Sequence, residues 1–462
     1  MKSVNYLLLV FAALLTACQT PSTVERVVAG GEAVPFSLDE VQRRTFDFFW
    51  ETALEDNYQI PDRWPTRRFS SIAATGFGLT SYLIGVERGF VTRQAAADRV
   101  QKTLEVLWEL PQGDAESGVS GYKGLFYHFL TYEDATRYKT TELSTIDSGL
   151  LLAGVLSTQT YFDGDNETEQ SIRDLADKLY RRVEWDWALN EKGRLSMGWK
   201  PGKGFIKADW HGYNEAMILL VLGLGSPTHP LPDDAWKKWT ETYDWDEFQG
   251  YDHLNFSPLF GHQYSHMYVD FRGIQDAYMQ ERGSDYFKNS TEATLANRAH
   301  CVENSAGFVG YGPDQWGLTA CDGPGGRMQG ADGKELKFWR YKARGASARH
   351  VIDDGTITPT AAGGSFPFAP QECEAALAQM WTTHYDSLVG PYGFKDAFNL
   401  TYVTEDRPQG WFDVDYLGID QGPILIQIEN ERSGLVWDLM SRNPYVRKGL
   451  ERAGFTGGWL AK

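Results

Sequence analysis

Cysteine is scarce in this chain, at four among 462 residues, too few for the disulfide lattice of a small secreted scaffold. Positive charge is short as well. Lys and Arg number 44 against 62 Asp and Glu, for a formal net charge of −18. Such a surface repels phosphate backbones and anionic headgroups, which excludes nucleic acid as a partner. No apolar run reaches the roughly 20 residues that cross ~30 Å of hydrocarbon. Zinc-ligand spacing, a P-loop, a dinucleotide fingerprint and a Gly-x-Ser-x-Gly elbow are all missing. Three acids at Asp413, Asp415 and Asp420 do not follow the EF-hand order. No metal and no cofactor are therefore expected.

What is present is ordinary in bulk and unusual in detail. Apolar residues make up 42% and charged residues 23%, which excludes a disordered chain. Aromatics reach 14%, with 16 Trp and 23 Tyr, enough for a large core or for faces on which sugar rings stack.

The N-terminus reads as a targeting segment. Lys2 precedes the apolar run Tyr6 to Leu15, and Leu15-Thr16-Ala17-Cys18 has the pattern of a bacterial lipoprotein cleavage box. Residues 1–17 are read as a signal peptide and Cys18 as the lipidated new N-terminus. Acyl chains hold a protein at a membrane, each buried CH₂ adding ~0.8 kcal/mol. Gln19, in place of Asp, favours the outer membrane. Residues 18–36 lack periodicity and read as a tether. The expectation is a monomer of the bacterial cell envelope that touches the membrane through its lipid only.

From residue 37 onward helical periodicity dominates, and 37–462 read as a single domain. Ser37 and Glu40 form a capping box before a helix to Leu54. Helices are expected over 70–87, 92–110, 144–161, 172–183, 212–224, 233–248, 264–280, 285–306, 370–388, 421–441 and 444–454. Three of them, 70–87, 144–161 and 212–224, are apolar all round and alternate with amphipathic ones. An inner ring sheathed by an outer ring gives that alternation, so an all-α (α/α)₆ barrel is expected. Two long stretches without helical period, 114–143 and 307–369, are expected to lie over one face.

Acids and aromatics gather at the expected helix starts. Lys207-Ala-Asp209-Trp-His211-Gly-Tyr213-Asn-Glu215 precedes an inner helix, and so does Glu142-Leu-Ser144-Thr-Ile-Asp147. A carboxyl among aromatics is desolvated and retains its proton, as a general acid must. Glu215 is the candidate acid. Asp147, Asp413, Asp415 and Asp420 compete as the base, with Asp147 and Asp413 favoured. Tyr268 and Arg272 fall four apart, on one face of the expected 264–280 helix, around Asp270. Of the three cysteines after Cys18, Cys301 and Cys321 are close in sequence and are expected to form a disulfide that pins the 307–369 loop, with Cys373 left free.

Longer motifs carry a resemblance. Trp316-Gly-Leu-Thr-Ala-Cys321-Asp322-Gly-Pro324, Gly355 to Ala362, Gly390 to Asn399, Asp415 to Pro423 and the run from Ile428-Glu429-Asn430 to Phe455 are similar to the bacterial glucoamylase-like domain family. That family includes glycoside hydrolase family 144, the β-1,2-glucanases, and the resemblance covers roughly 40–455. It implies an (α/α)₆ barrel and a metal-free inverting hydrolase of β-1,2-linked glucose chains. It also points to Glu215 as the acid. Inverting enzymes hold their two carboxyls ~6.5–9.5 Å apart to admit water. His211, Tyr213, Tyr268, Asp270, Arg272, Trp316 and Phe394 are the candidate glucan contacts. Cys321 departs from the Ser usual at that position. Two other readings stay open: a polysaccharide lyase using His211 and Tyr213, and a noncatalytic glycan-binding lipoprotein.

Overall fold

The computed structural model describes residues 35–461 except 331, 332 and 334. The signal peptide, Cys18 and the tether up to residue 34 lie outside the described residues. Fifteen α-helices are described: α1 Leu38–Thr52, α2 Ile72–Glu87, α3 Arg93–Glu109, α4 Thr145–Tyr161, α5 Glu167–Arg181, α6 Ala216–Gly225, α7 Ala235–Thr240, α8 Phe260–Gln263, α9 Ala277–Arg282, α10 Tyr286–Glu303, α11 Pro359–Gly363, α12 Pro370–Leu388, α13 Gly418–Ser433, α14 Leu435–Arg442 and α15 Pro444–Arg452.

They alternate between two rings. The inner ring is α2, α4, α6, α8 with the turn Ser265–Met267, α11 and α13. Each follows an outer helix in the chain: α1, α3, α5, α7, α10 and α12. The C-terminal α14 and α15 close over α4 and α6. This is an (α/α)₆ barrel. Helix α2 is buried from Ile72 to Gly85 and α6 along its whole length, as a helix packed on all sides must be. Glycine lets α2 and α4 cross closely. A Cβ on Gly76 would stand 2.5 Å from Leu151 Cα, and one on Gly154 would stand 2.1 Å from Gly76 O. The described helices include none long and apolar enough to cross a membrane.

Helix starts are capped as their sequences suggest. Ser37, Ser71 and Ser144 accept from the amides of Glu40, Ala74 and Asp147. The segments that lead into α2, α4 and α13 form short ladders over one end of the barrel. A five-stranded antiparallel sheet joins Gly121–Tyr122, Leu125–Tyr127, Leu143–Ser144, Gly198–Lys200 and Gly204–Phe205. Arg63–Trp64 pairs with Tyr416–Leu417, and Ser70–Ser71 pairs with Phe129–Leu130.

Several expected helices are corrected. The 233–248 stretch ends at Thr240 and turns into a hairpin of Trp245–Phe248 with Tyr251–Leu254. Gln249 and Gly250 both take positive φ there, as a tight hairpin turn requires. The 264–280 stretch is no single helix. It breaks after Met267 and resumes only at Ala277, so Tyr268 and Arg272 do not share a helical face. The 421–441 stretch splits at Gly434, φ 71°. Within 307–369 sits the short inner helix α11, five residues begun by Pro359, too brief to leave a period.

The expected Cys301–Cys321 disulfide is not formed. Cys301, Cys321 and Cys373 are free and buried. Cys301 faces one apolar cluster with Trp316 and Cys373, while Cys321 faces another with Ala397 and Trp411. The Cys321 Sγ accepts from Arg344 at 3.4 Å.

Candidate functional site

The starts of α4, α6 and α13 meet at the barrel end that the ladders cover, and each brings a carboxyl there. Glu215 is the residue before α6, outside the helix, whereas the expected 212–224 helix enclosed it. It is buried, at 8% exposure, and its Oε2 has no hydrogen-bond partner. Its backbone oxygen accepts from Ser265 Oγ at 2.8 Å, which ties the residue to the neighbouring inner element. Burial, with the charge of Asp147 adding, pushes its carboxyl up to about 7.

Asp147 stands in the first turn of α4. One carboxylate oxygen is engaged by the Ser144 hydroxyl. The other lies 3.5 Å from His128 Nε2. Both of its oxygens are thus engaged, by Ser144 and by His128.

A second group of acids comes from loops. Asp62, Asp322, Asp396, Asp413 and Asp415 gather around Arg63 near the start of α13, which carries Asp420. Arg63 Nη1 bonds Asp322 at 2.5 Å, its Nε bonds Asp62 at 3.1 Å, and Asp415 lies 3.7 Å away. Asp322 N donates to Asp396 Oδ2 at 2.7 Å. Burial raises Asp396 far above the carboxylate range and raises Asp420 too. The two carboxyls face each other and hold a proton between them, with Asp396 the stronger holder. Asp413 Oδ1 accepts from the amides of Val414 and Asp415, while its Oδ2 is buried and unpartnered. Burial lifts Asp413 to about 6, against those amide bonds. Asp322, Asp396 and Asp413 each bring an oxygen within 4.8 Å of the others, a spacing a divalent cation accepts, but Arg63 already compensates Asp322.

The loop carrying Asp322 is anchored by a buried ion pair. Arg344 Nε and Nη2 bond Asp354 at 2.7 and 2.9 Å, and Arg344 also donates to the carbonyls of Cys321 and Trp339. Both partners of that pair are fully buried. The same loop presents Tyr341, about half exposed, whose hydroxyl is raised by burial and by Asp420, Asp396 and Asp62. Tyr264, between α8 and the turn at 265, feels Asp420, Glu215 and Asp147 together, so it sits where the two acid groups converge.

Most of the expected glucan contacts lie elsewhere. Tyr213 is buried and stacks on Tyr286. Tyr268 is buried against Thr80. Trp316 and Phe394 are closed inside the second core cluster. None of these four leaves a face for a sugar. Asp270 and Arg272 pair with each other at 2.8 Å, and Arg272 lies over Trp437. That places them by α14, which follows the far end of α13. His211 is well exposed, its Nδ1 2.8 Å from Asp209. Sequence reasoning missed Asp62, Arg63, His128, Tyr264, Asp322, Tyr341 and Asp396. Asp322 and Asp396 lie within the recognisable motifs but carry no helical period. The others have no signal beyond their residue type.

Residues 207–444 match the Glycoamylase family of glucoamylase-like proteins. The chain belongs to that family. The match spans α6 to α14 and so includes Glu215, Asp322, Asp396, Asp413 and Asp420. The chain is 30% identical over 452 residues to an exo β-1,2-glucooligosaccharide sophorohydrolase (non-reducing end) of Parabacteroides distasonis, covering 90% of this chain and 57% of that protein. It therefore spans little more than half the length of that relative. An endo-β-1,2-glucanase of Chitinophaga pinensis, solved with sophorotriose and glucose, superposes with TM-score 0.78 at 28% identity, covering 92% of this chain and 100% of that one. A β-1,2-glucanase structure from Parabacteroides distasonis gives the same TM-score and identity over 92% of this chain and 61% of that one.

Proposed function

We propose that the chain is a glycoside hydrolase that cleaves β-1,2-linked glucan with inversion. The observation that carries this reading is Glu215, a buried carboxyl with a free oxygen and a proton retained to about neutral pH. A carboxyl in that state donates to a glycosidic oxygen as the bond breaks. Asp413 is the base. Its free Oδ2 takes the proton of a water that attacks the opposite face of the sugar, and at about 6 it is ionised while Glu215 is still protonated. Asp396, Asp420 and Arg63 offer acceptors and donors to sugar hydroxyls, and Tyr341 offers an accessible ring. The β-1,2 linkage is supported by the activities of the three relatives. A lyase reading would need Tyr213 as a base at the cleft, and its ring lies instead in the core.

Incubation with linear β-1,2-, β-1,3-, β-1,4- and α-1,4-glucans, with products separated by chromatography, tests substrate. Cleavage of the β-1,2 chain alone is expected, and a first product in the α-anomeric form by proton NMR. Inertness toward that chain would refute the substrate, and a β-anomeric first product would refute inversion. We also propose that the protein acts as a monomer on the cell envelope, anchored through Cys18. Cys18→Ala should then move it from the membrane to the soluble fraction.

A further inference from the structure

A chain of three charged side chains stands behind the candidate acid. His128 lies between two carboxylates, its Nδ1 3.0 Å from Glu142 Oε1 and its Nε2 3.5 Å from Asp147 Oδ1. The ring stacks on Phe129 at 3.8 Å. The backbone of His128 is fixed on both sides: its N–H donates to Glu142 O, and its carbonyl accepts from Ile72 N at the start of α2. The imidazole is thus clamped between the sheet edge and two inner helices. Among the described residues, His128 is the cation with which Asp147 pairs.

The other charges that face this chain are few. Asp62, from the loop before α2, faces His128, and Lys200, from the sheet, faces Glu142. Glu215 and Tyr264 face Asp147 from the other side.

We propose that His128 is a positioning residue: clamped between Glu142 and Asp147, it holds the Asp147 carboxylate in place beside Glu215, the candidate acid. The proposal rests on the reading of Glu215 as the acid. Its physics has a distinctive sign. Asp147 is 4% exposed, and its carboxylate raises Glu215 only while it is held toward that acid. Without the clamp that carboxylate is no longer fixed toward Glu215 and opposes its ionisation less, so Glu215 loses its proton at lower pH. Simple loss of a nearby positive charge would do the reverse and let Glu215 hold its proton to higher pH. The state of the ring agrees with the clamp. Burial alone would lower His128, but Asp147, Glu142 and Asp62 outweigh it and lift the imidazole to about 9.

The test is the pH profile of kcat/KM on a β-1,2-gluco-oligosaccharide for the wild type, His128→Gln, Asp147→Asn and the double variant. The basic limb, near 7 in the wild type, should move down by about one unit in each single variant. That is about a tenfold lower kcat/KM at pH 8. The double variant should move no further. A limb that stays or rises in His128→Gln overturns the proposal. Nitrogen-15 NMR of the wild-type imidazole gives an arm independent of catalysis and of the folding of any His128 variant. His128 should remain protonated at pH 8 in the wild type, and a neutral ring at pH 7 would overturn the clamp. If no glucan is cleaved by the wild type, the hydrolase reading fails while the NMR arm still decides whether His128 is the cation.

Discussion

Replacing Glu215 by Gln separates its proposed catalytic role from its cost to the fold. A carboxyl at about 7 is about 90% protonated at pH 6, whereas one at the ordinary 4.5 would be about 3% protonated. The burial that makes Glu215 useful also destabilises its ionised form. Between pH 4.5 and 7 the native state binds more protons at this position than the unfolded chain does, so stability falls as pH rises through that window. A displacement of about 2.5 units corresponds to about 3 kcal/mol lost by pH 8. Glu215→Gln removes that loss, less about 1 kcal/mol for a buried amide whose Nε2 inherits the unpartnered place of Oε2. The variant should be less active by ~10²–10⁴-fold. At pH 8 it should also be more stable than the wild type by about 2 kcal/mol, and at pH 4 less stable by about 1 kcal/mol. Denaturant melts of both proteins at the two pH values, with turnover of a β-1,2-gluco-oligosaccharide, measure both. Other buried acids tilt both proteins equally, so the difference isolates Glu215. Activity near that of the wild type, or a stability gain that does not change with pH, would refute the assignment.

Asp413→Asn should lower kcat by ~10²–10⁴-fold and remove the acidic limb near 6 from the pH profile, whereas a surviving limb would assign the base to another carboxyl. Thiol titration of the unreduced, denatured protein should find Cys301, Cys321 and Cys373 all reactive, and loss of two of them would restore the disulfide. Asp354→Asn strips Arg344 of its buried partner and should destabilise the protein by ~3–5 kcal/mol, with the loss read as a lower urea midpoint; an unchanged midpoint would show that the pair does not anchor the loop.

The rings were legible because burial leaves a period. Helices buried all round, such as α2, read differently from α5, whose Ile172, Leu175 and Leu179 line one face. Short elements such as α8 and α11 complete the inner ring yet are too brief to show a period. Glu215 and Asp147 could be found because each stands at the start of an apolar run. The loop acids could not. Asp62, Asp322 and Asp396 are brought together across more than 300 residues by strand pairs and by Arg344, and no local pattern encodes such a meeting. The aromatic candidates failed for a related reason. Tyr213 lies two residues from Glu215, but its ring turns between the inner and outer helices and stacks on Tyr286. Closeness in sequence to an acid does not say which way a ring points.

The unpartnered oxygens at the barrel mouth argue for what the site is built to meet. Glu215 Oε2 and Asp413 Oδ2 are buried without a donor, and Asp396 Oδ1 and Asp420 Oδ2 have none beyond the one proton that the two carboxyls share. Buried polar atoms are normally paired, and each orphan costs ~1–3 kcal/mol. Several such costs at one end of the barrel are not offset by local packing, because the surrounding side chains are acids too. A ligand rich in hydroxyl groups would supply the missing donors without bringing a charge. The proton shared by Asp396 and Asp420, and the ion pairs of Arg63, already hold the local charge down. A cationic ligand would gain little from that compensation and an anionic one would meet the remaining carboxylates. A neutral sugar chain would satisfy both the hydrogen-bond deficit and the charge balance, and at Glu215 it would meet the proton that the proposed reaction needs.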